Sequence, residues 1–287
     1  MPELPEVETV ARALREGVGM PALVGHTIQS AQVLWHREIG NMKPRAFEAA
    51  VAGAQVQSIA RHGKYLILTL TQDAKRKAKV SVLHPASLSP LFMLIHLKMS
   101  GRLDVVSRDQ AFTKHARVVW LLDDDLALRF DDARKFGRVW LTDDATTVIG
   151  QLGPDALDVT EDGFVARLKA RRGAIKPLLL NQNFLAGVGN IYADESLYRS
   201  KLHPKRTIET LTESDMRRLY KNIRAVLMEG IAANGASFDW VYPNGNFQNN
   251  FKVYGMTDAP CPICGEPIRR ILVGQRSTHF CPSCQPL

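Results

Sequence analysis

Apolar residues at Val7, Val10, Ala11 and Leu14 recur at i, i+3, i+4 and i+7, which predicts an N-terminal helix with one buried stripe. Pro5 suits its first turn, and Glu6 and Glu8 complement the positive end of the helix dipole. Pro2 and Glu3 therefore stand just ahead of a helix start. From about 22 to 142 the pattern shifts to short β segments, with candidate strands at 27–34, 56–59, 65–70, 91–97, 117–122, 127–130 and 138–141. Turn residues between them, such as Asp123, Asp124 and Asp125, predict an antiparallel sandwich or barrel. The stretch 71–90 interrupts the pattern with Lys75, Arg76, Lys77 and Lys79 and reads as a long basic loop. From about 150 to 235 the period becomes helical. Thr212 with Asp215 three residues on caps a helix carrying Met216, Leu219, Ile223, Val226 and Leu227, and Asn234-Gly235 ends it. Two shorter helices flank 185–190, and a cysteine-bounded module closes the chain. The expected boundaries are 1–148, 149–240 and 241–287.

Composition narrows the class. A 45% apolar, 23% charged chain is that of an ordinary globular protein. It has no uninterrupted apolar run near the ~18 residues a membrane span needs. Its opening does not resemble a secretion signal, so a cytoplasmic location and no membrane partner are expected. The net charge of +8 favours a polyanionic partner.

All four cysteines fall near the end, as Cys261-x-x-Cys264 and Cys281-x-x-Cys284. Two such knuckles suit one tetrahedral zinc in a closed structural site, which folds the module and leaves no position for catalysis. Between them, Gly274 marks the turn of a β-hairpin with Arg276 near its tip. The N-terminus offers a second chemistry. Removal of Met1 exposes the secondary amine of Pro2, and an α-amino group titrates near pH 8, so part of it is nucleophilic at neutral pH. Glu3 beside it is a candidate acid/base for imine chemistry. Gly187 and Gly189 permit a tight turn, after which Asn190 stands where a helix N-cap begins. Arg167, Lys169, Arg171, Arg172 and Lys176 form a dense basic run, which by itself reads as a solvated face.

The opening Met1-Pro-Glu-Leu-Pro-Glu-Val-Glu-Thr9 resembles that of the formamidopyrimidine-DNA glycosylase family. Further matches follow in order around Lys64, at 96–101, at 133–137, at 187–193, and in the closing four-cysteine finger with Gln275-Arg276. The resemblance spans essentially the whole chain. It implies an α+β fold: an N-terminal antiparallel β-sandwich with flanking helices, a helix–two-turn–helix domain and a zinc-finger hairpin. It implies a monomer acting on damaged double-stranded DNA, excising oxidised purines and cleaving the abasic strand. Pro2 would be the nucleophile, Glu3 the proton donor to the sugar, Lys64 an aid to the early eliminations and Arg276 the phosphate holder. His115, Arg172 and Asn190 correspond by position to DNA contacts. Met99, Arg134 and Phe136 would fill the gap left by the extruded base, and 239–254 would close over that base. Departures occur at Ala133, Lys135 and Lys98 and in the longer 71–90 stretch, none of them in the catalytic set. A sister enzyme for oxidised pyrimidines, and an inactive lesion-binding protein, are the alternatives.

Overall fold

The computed structural model describes residues 1–71, 90–237 and 245–287. The basic stretch at 72–89 and residues 238–244, which include the first part of the expected base-closing segment, lie outside the described residues. No helix among the described residues is long and apolar enough to cross a membrane. The chain forms two compact units: Met1–Pro2 with Val7–Gln151, and Glu3–Glu6 with Leu152–Leu287.

The first unit is two four-stranded antiparallel sheets. One has the order β1 (Ile28–Val33), β6 (Ala116–Leu122), β7 (Leu126–Asp132), β5 (Gly101–Ser107). The other runs β2 (Gln55–His62), β3 (Tyr65–Thr71), β4 (Leu91–His96), β8 (Arg138–Thr142). Alternation places Leu66, Leu68 and Leu70 of β3 in the core, as a strand with one buried face requires. Trp120 and Phe47, both fully buried, meet edge-on at 6.3 Å.

Two elements depart from the expected pattern. The sequence pattern does not announce β5, because Arg102 and Asp104 break its alternation; their ion pair at 2.7 Å lets Asp104 sit inside. Helix α2 (Pro44–Val51) lies within the stretch expected to be all β. Pro44 starts it, and Phe47, Ala50 and Val51 give it one short buried face.

In the same unit Glu38 is fully buried, and neither carboxylate oxygen has a hydrogen-bond partner among the described residues. Burial, helped by the charge of Asp132 and only partly opposed by Arg138 and Arg117, pushes its carboxyl up to about 8. The folded chain thus keeps this proton to about pH 8, while an unfolded glutamate releases it near 4.5. Unfolding between these values releases a proton, so this group's contribution to stability falls as pH rises from 4.5 to 8 and is level outside that window. Glu38→Gln is expected to raise the melting temperature by several degrees at pH 8 and little at pH 5. An equal shift at both pH values would show that Glu38 is ionised when folded.

The second unit is helical: α4 (Glu161–Lys169), α5 (Ile175–Leu180), α6 (Asn190–Arg199) and α7 (Glu213–Ala232), preceded in the chain by the one-turn α3 (Thr146–Ile149) of the first unit. Thr212 and Asp215 form the expected capping box at α7, worth about 1 kcal/mol. The hairpin β9 (Arg269–Val273) and β10 (Arg276–Phe280) turns through Gly274 and Gln275, both at positive φ.

Candidate active site and nucleic-acid interface

Within the first unit, Pro2 is buried behind an exposed Met1. Lys64 occupies the two-residue turn of the β2–β3 hairpin, after Gly63 at φ 57°. It is 5% exposed, unlike a typical solvated hairpin lysine. Burial, with the charges of Lys98 and then Lys64, pushes nearby His96 down to about 3 and keeps it neutral. The Nδ1 of His96 accepts from the Lys98 amide at 2.9 Å.

The same unit assembles Met99, His115, Arg134 and Phe136 from three loops, and Asp132 organises them. Its fully buried carboxylate accepts from the amides of Phe136 and Gly137 at 2.7 Å each and of Arg134 at 3.1 Å. It also accepts the Ser100 hydroxyl, whose oxygen in turn receives the Arg134 amide at 3.1 Å. The Asp132 amide donates to the carbonyl of His115 at 2.8 Å. On this bonded base Met99 and Phe136 remain 43% and 48% exposed. The guanidinium of Arg134 lies 5.0 Å from the Phe136 ring centroid. The departure at Lys135 is accommodated: its backbone takes φ 60° and its ammonium sits 4.0 Å over the Trp35 ring. Nothing in the sequence marks Asp132 and Ser100, because a carboxylate at a strand end carries no periodic signal.

In the second unit the start of α6 is the organising feature. Glu3 is 3% exposed, and its carboxylate accepts the amides of Ile191 at 3.0 Å and Tyr192 at 3.4 Å. Asn190 is consequently not the N-cap. Gly189 holds that position, with no side-chain cap, and Asn190 is the first helical residue. Its amide instead donates to the Ser277 carbonyl of β10 at 2.8 Å. Gly189 must be glycine, since a Cβ there would lie 2.3 Å from the Glu3 carboxyl carbon. Glu6 completes the setting. It accepts the Glu3 amide at 2.8 Å, the Tyr192 hydroxyl at 2.8 Å and the Ala236 amide at 2.7 Å. Glu195, also buried, accepts the amides of Lys252, Val253 and Tyr254 at 2.9–3.1 Å. Two carboxylates thus hold the backbone at Ala236, just before the expected base-closing segment, and at 252–254, its C-terminal end.

The basic run does not act as one solvated face. Arg167 donates to the carbonyls of Asn183 and Phe184, and Lys169 pairs with Glu213 at 2.6 Å. Lys176 is fully buried against Asp194 at 2.6 Å and donates to Thr278 Oγ1 at 2.8 Å. Burial pushes its ammonium down, and Asp194 pulls it back. Arg171 and Arg172 stay exposed, Arg172 lying 3.9 Å from Glu209. Arg276, exposed at the start of β10, is close enough for its charge to act on Lys176.

The Sγ atoms of Cys261, Cys264, Cys281 and Cys284 lie within 4.8 Å of one another, with pairs at 3.8 Å and 3.5 Å. Disulfides require about 2.05 Å. Four sulfurs each about 2.3 Å from a tetrahedral ion stand about 3.8 Å apart, so the set fits one structural zinc.

Residues 1–139 match the formamidopyrimidine-DNA glycosylase N-terminal domain, 152–240 its H2TH domain, and 259–287 the zinc finger found in FPG and IleRS. The formamidopyrimidine-DNA glycosylase of Chloroflexus aggregans is 41% identical, covering 100% of this chain and 99% of its own. That of Herpetosiphon aurantiacus is 39% identical, covering 99% and 100%. Among solved structures, Lactococcus lactis Fpg bound to abasic-site DNA superposes with a TM-score of 0.86 at 32% identity, over 99% of this chain and 100% of that one. The same protein bound to an oxidised-pyrimidine DNA gives 0.85 at 32%, over 100% of both chains. Full-length similarity of this kind, on the fold and zinc-binding set described above, means that the chain belongs to the formamidopyrimidine-DNA glycosylase family.

Proposed function

We propose that this protein removes oxidised purines, 8-oxoguanine and formamidopyrimidines, from duplex DNA and then cleaves the strand, as a base-excision-repair glycosylase and abasic-site lyase. The amine of Pro2 attacks C1′ of the damaged nucleotide as the bond to the base breaks. Glu3 gives a proton to the ring oxygen, the sugar opens, and an iminium forms between Pro2 and C1′. The iminium acidifies the C2′–H bond, so the 3′ phosphate and then the 5′ phosphate leave by successive eliminations. Lys64 assists the early eliminations. Arg276 holds the lesion phosphate, with Arg172, His115 and Asn190 at neighbouring parts of the backbone. Zinc folds the finger and takes no part in the chemistry.

The observation that carries this reading is the platform at Asp132 and Ser100. Its hydrogen bonds hold a methionine and a phenylalanine out in water beside an arginine. Extruding a base from a duplex leaves a hole, and such side chains fill it. Arg134 has donors suited to the acceptor edge of a widowed cytosine. Phe136→Ala is expected to slow excision of 8-oxoguanine opposite cytosine by about tenfold or more, because flipping costs a few kcal/mol. Cleavage at a preformed abasic site should change much less, and the melting temperature should barely move. Equal losses of both activities together with a large drop in melting temperature would overturn the wedge role. A second reading, oxidised pyrimidines as additional substrates, draws support from the Lactococcus lactis complex with such DNA. Excision from thymine-glycol duplexes in the same assay separates the two.

A further inference from the structure

Helix α6 commits one stripe to the zinc module. Asn190, Asp194 and Tyr198 follow at i, i+4 and i+8, along one face of the helix. Asn190 donates to the Ser277 carbonyl at 2.8 Å, and Asp194 accepts the His279 amide at 2.9 Å. The third rung reaches the metal site itself: the Tyr198 hydroxyl lies 3.2 Å from the Sγ of Cys261. Both residues are 3% exposed, packed with Val253, Ile268 and Cys281.

Four thiolates around one zinc carry a net charge of −2, and here two of the four are buried among apolar side chains. Such a charge needs nearby hydrogen-bond donors. A zinc-bound Cys261 has no thiol proton, so the direction of the bond is fixed and Tyr198 donates. We propose that Tyr198 is a positioning residue of the zinc site, donating a hydrogen bond to the Cys261 thiolate and thereby helping the finger to retain its metal. Outer-shell donors of this kind commonly change metal affinity by about 10–100-fold. The hydroxyl would also fasten the C-terminal end of α6 to the first cysteine knuckle, as Asp194 and Asn190 fasten its middle and start to β10.

The test uses the full-length protein with cobalt(II) in place of zinc, and the zinc form for metal loss. Losing a donor raises the energy of the sulfur lone pair, so Tyr198→Phe is expected to move the sulfur-to-cobalt charge-transfer band to longer wavelength. Loss of zinc to EDTA should become about tenfold faster. Placing 3-fluorotyrosine at position 198, a stronger donor of nearly the same size, should move the band the opposite way. That measurement keeps the proposal testable if Tyr198→Phe does not fold. A band unmoved by the fluorinated residue, or unmoved in a folded Tyr198→Phe protein whatever its rate of zinc loss, overturns the proposal.

Discussion

A form of the protein that keeps its initiator methionine, through a lysine inserted between Met1 and Pro2, is expected to form no borohydride-stable adduct with abasic or 8-oxoguanine DNA. It should cleave neither above the uncatalysed background. In that form the Pro2 nitrogen is an amide, its lone pair delocalised into the carbonyl, and no nucleophile remains at the N-terminus. The processed protein should be trapped, with the adduct on the N-terminal peptide. Folding should be intact in both, because Met1 is exposed. An adduct mapped to Lys64, or strand cleavage by the extended form, would remove Pro2 from its role.

The second large effect concerns stability. Lys176 and Asp194 are both wholly buried and 2.6 Å apart, and between them they grip Ser277, Thr278 and His279. Lys176→Met leaves the Asp194 carboxylate buried without its counter-ion, an expected loss of about 3–5 kcal/mol. Adding Asp194→Asn should restore part of it, since an amide needs no counter-ion, and the coupling is read from a double-mutant cycle. Urea denaturation in the presence of zinc measures both. A single-mutant loss under about 1 kcal/mol would mean that water reaches the carboxylate and the pair is not sealed.

These two residues also show where the sequence stops being informative. Strands such as β3 are legible because their burial follows a period of two, and α7 because its cap and apolar spacing agree. The cysteine knuckles are legible because metal geometry dictates their spacing. Lys176 looks like one more cation in a solvated run; its partner is 18 positions away, and nothing local marks the pair. Asn190 misleads for a related reason. A polar residue after two glycines satisfies the local rule for a cap, but the α6 amides are taken by Glu3 from the far end of the chain. Glu3 itself is legible through its neighbour Pro2 and the family resemblance, and its hydrogen bonds to α6 are not. Asp132 is the opposite case: a hydrogen-bonding hub with no sequence signal, whose dependants Arg134 and Phe136 are legible by resemblance alone.

The reach of Glu3 also bears on the order in which the protein is made. Residues 3–6 belong to the second unit, yet they leave the ribosome 188 residues before Ile191, to which Glu3 bonds. At about 5–20 residues per second, that is an interval of roughly 10–40 seconds. During it the carboxylate has no helix to cap, and Gly187 and Gly189 do not yet exist to receive Leu4 and Glu3. The loop to be closed spans 188 residues, so this contact falls late in folding. A nascent chain released early, or a fragment cut after the first unit, would carry Pro2 and the loop of Arg134 and Phe136 without the seat for Glu3.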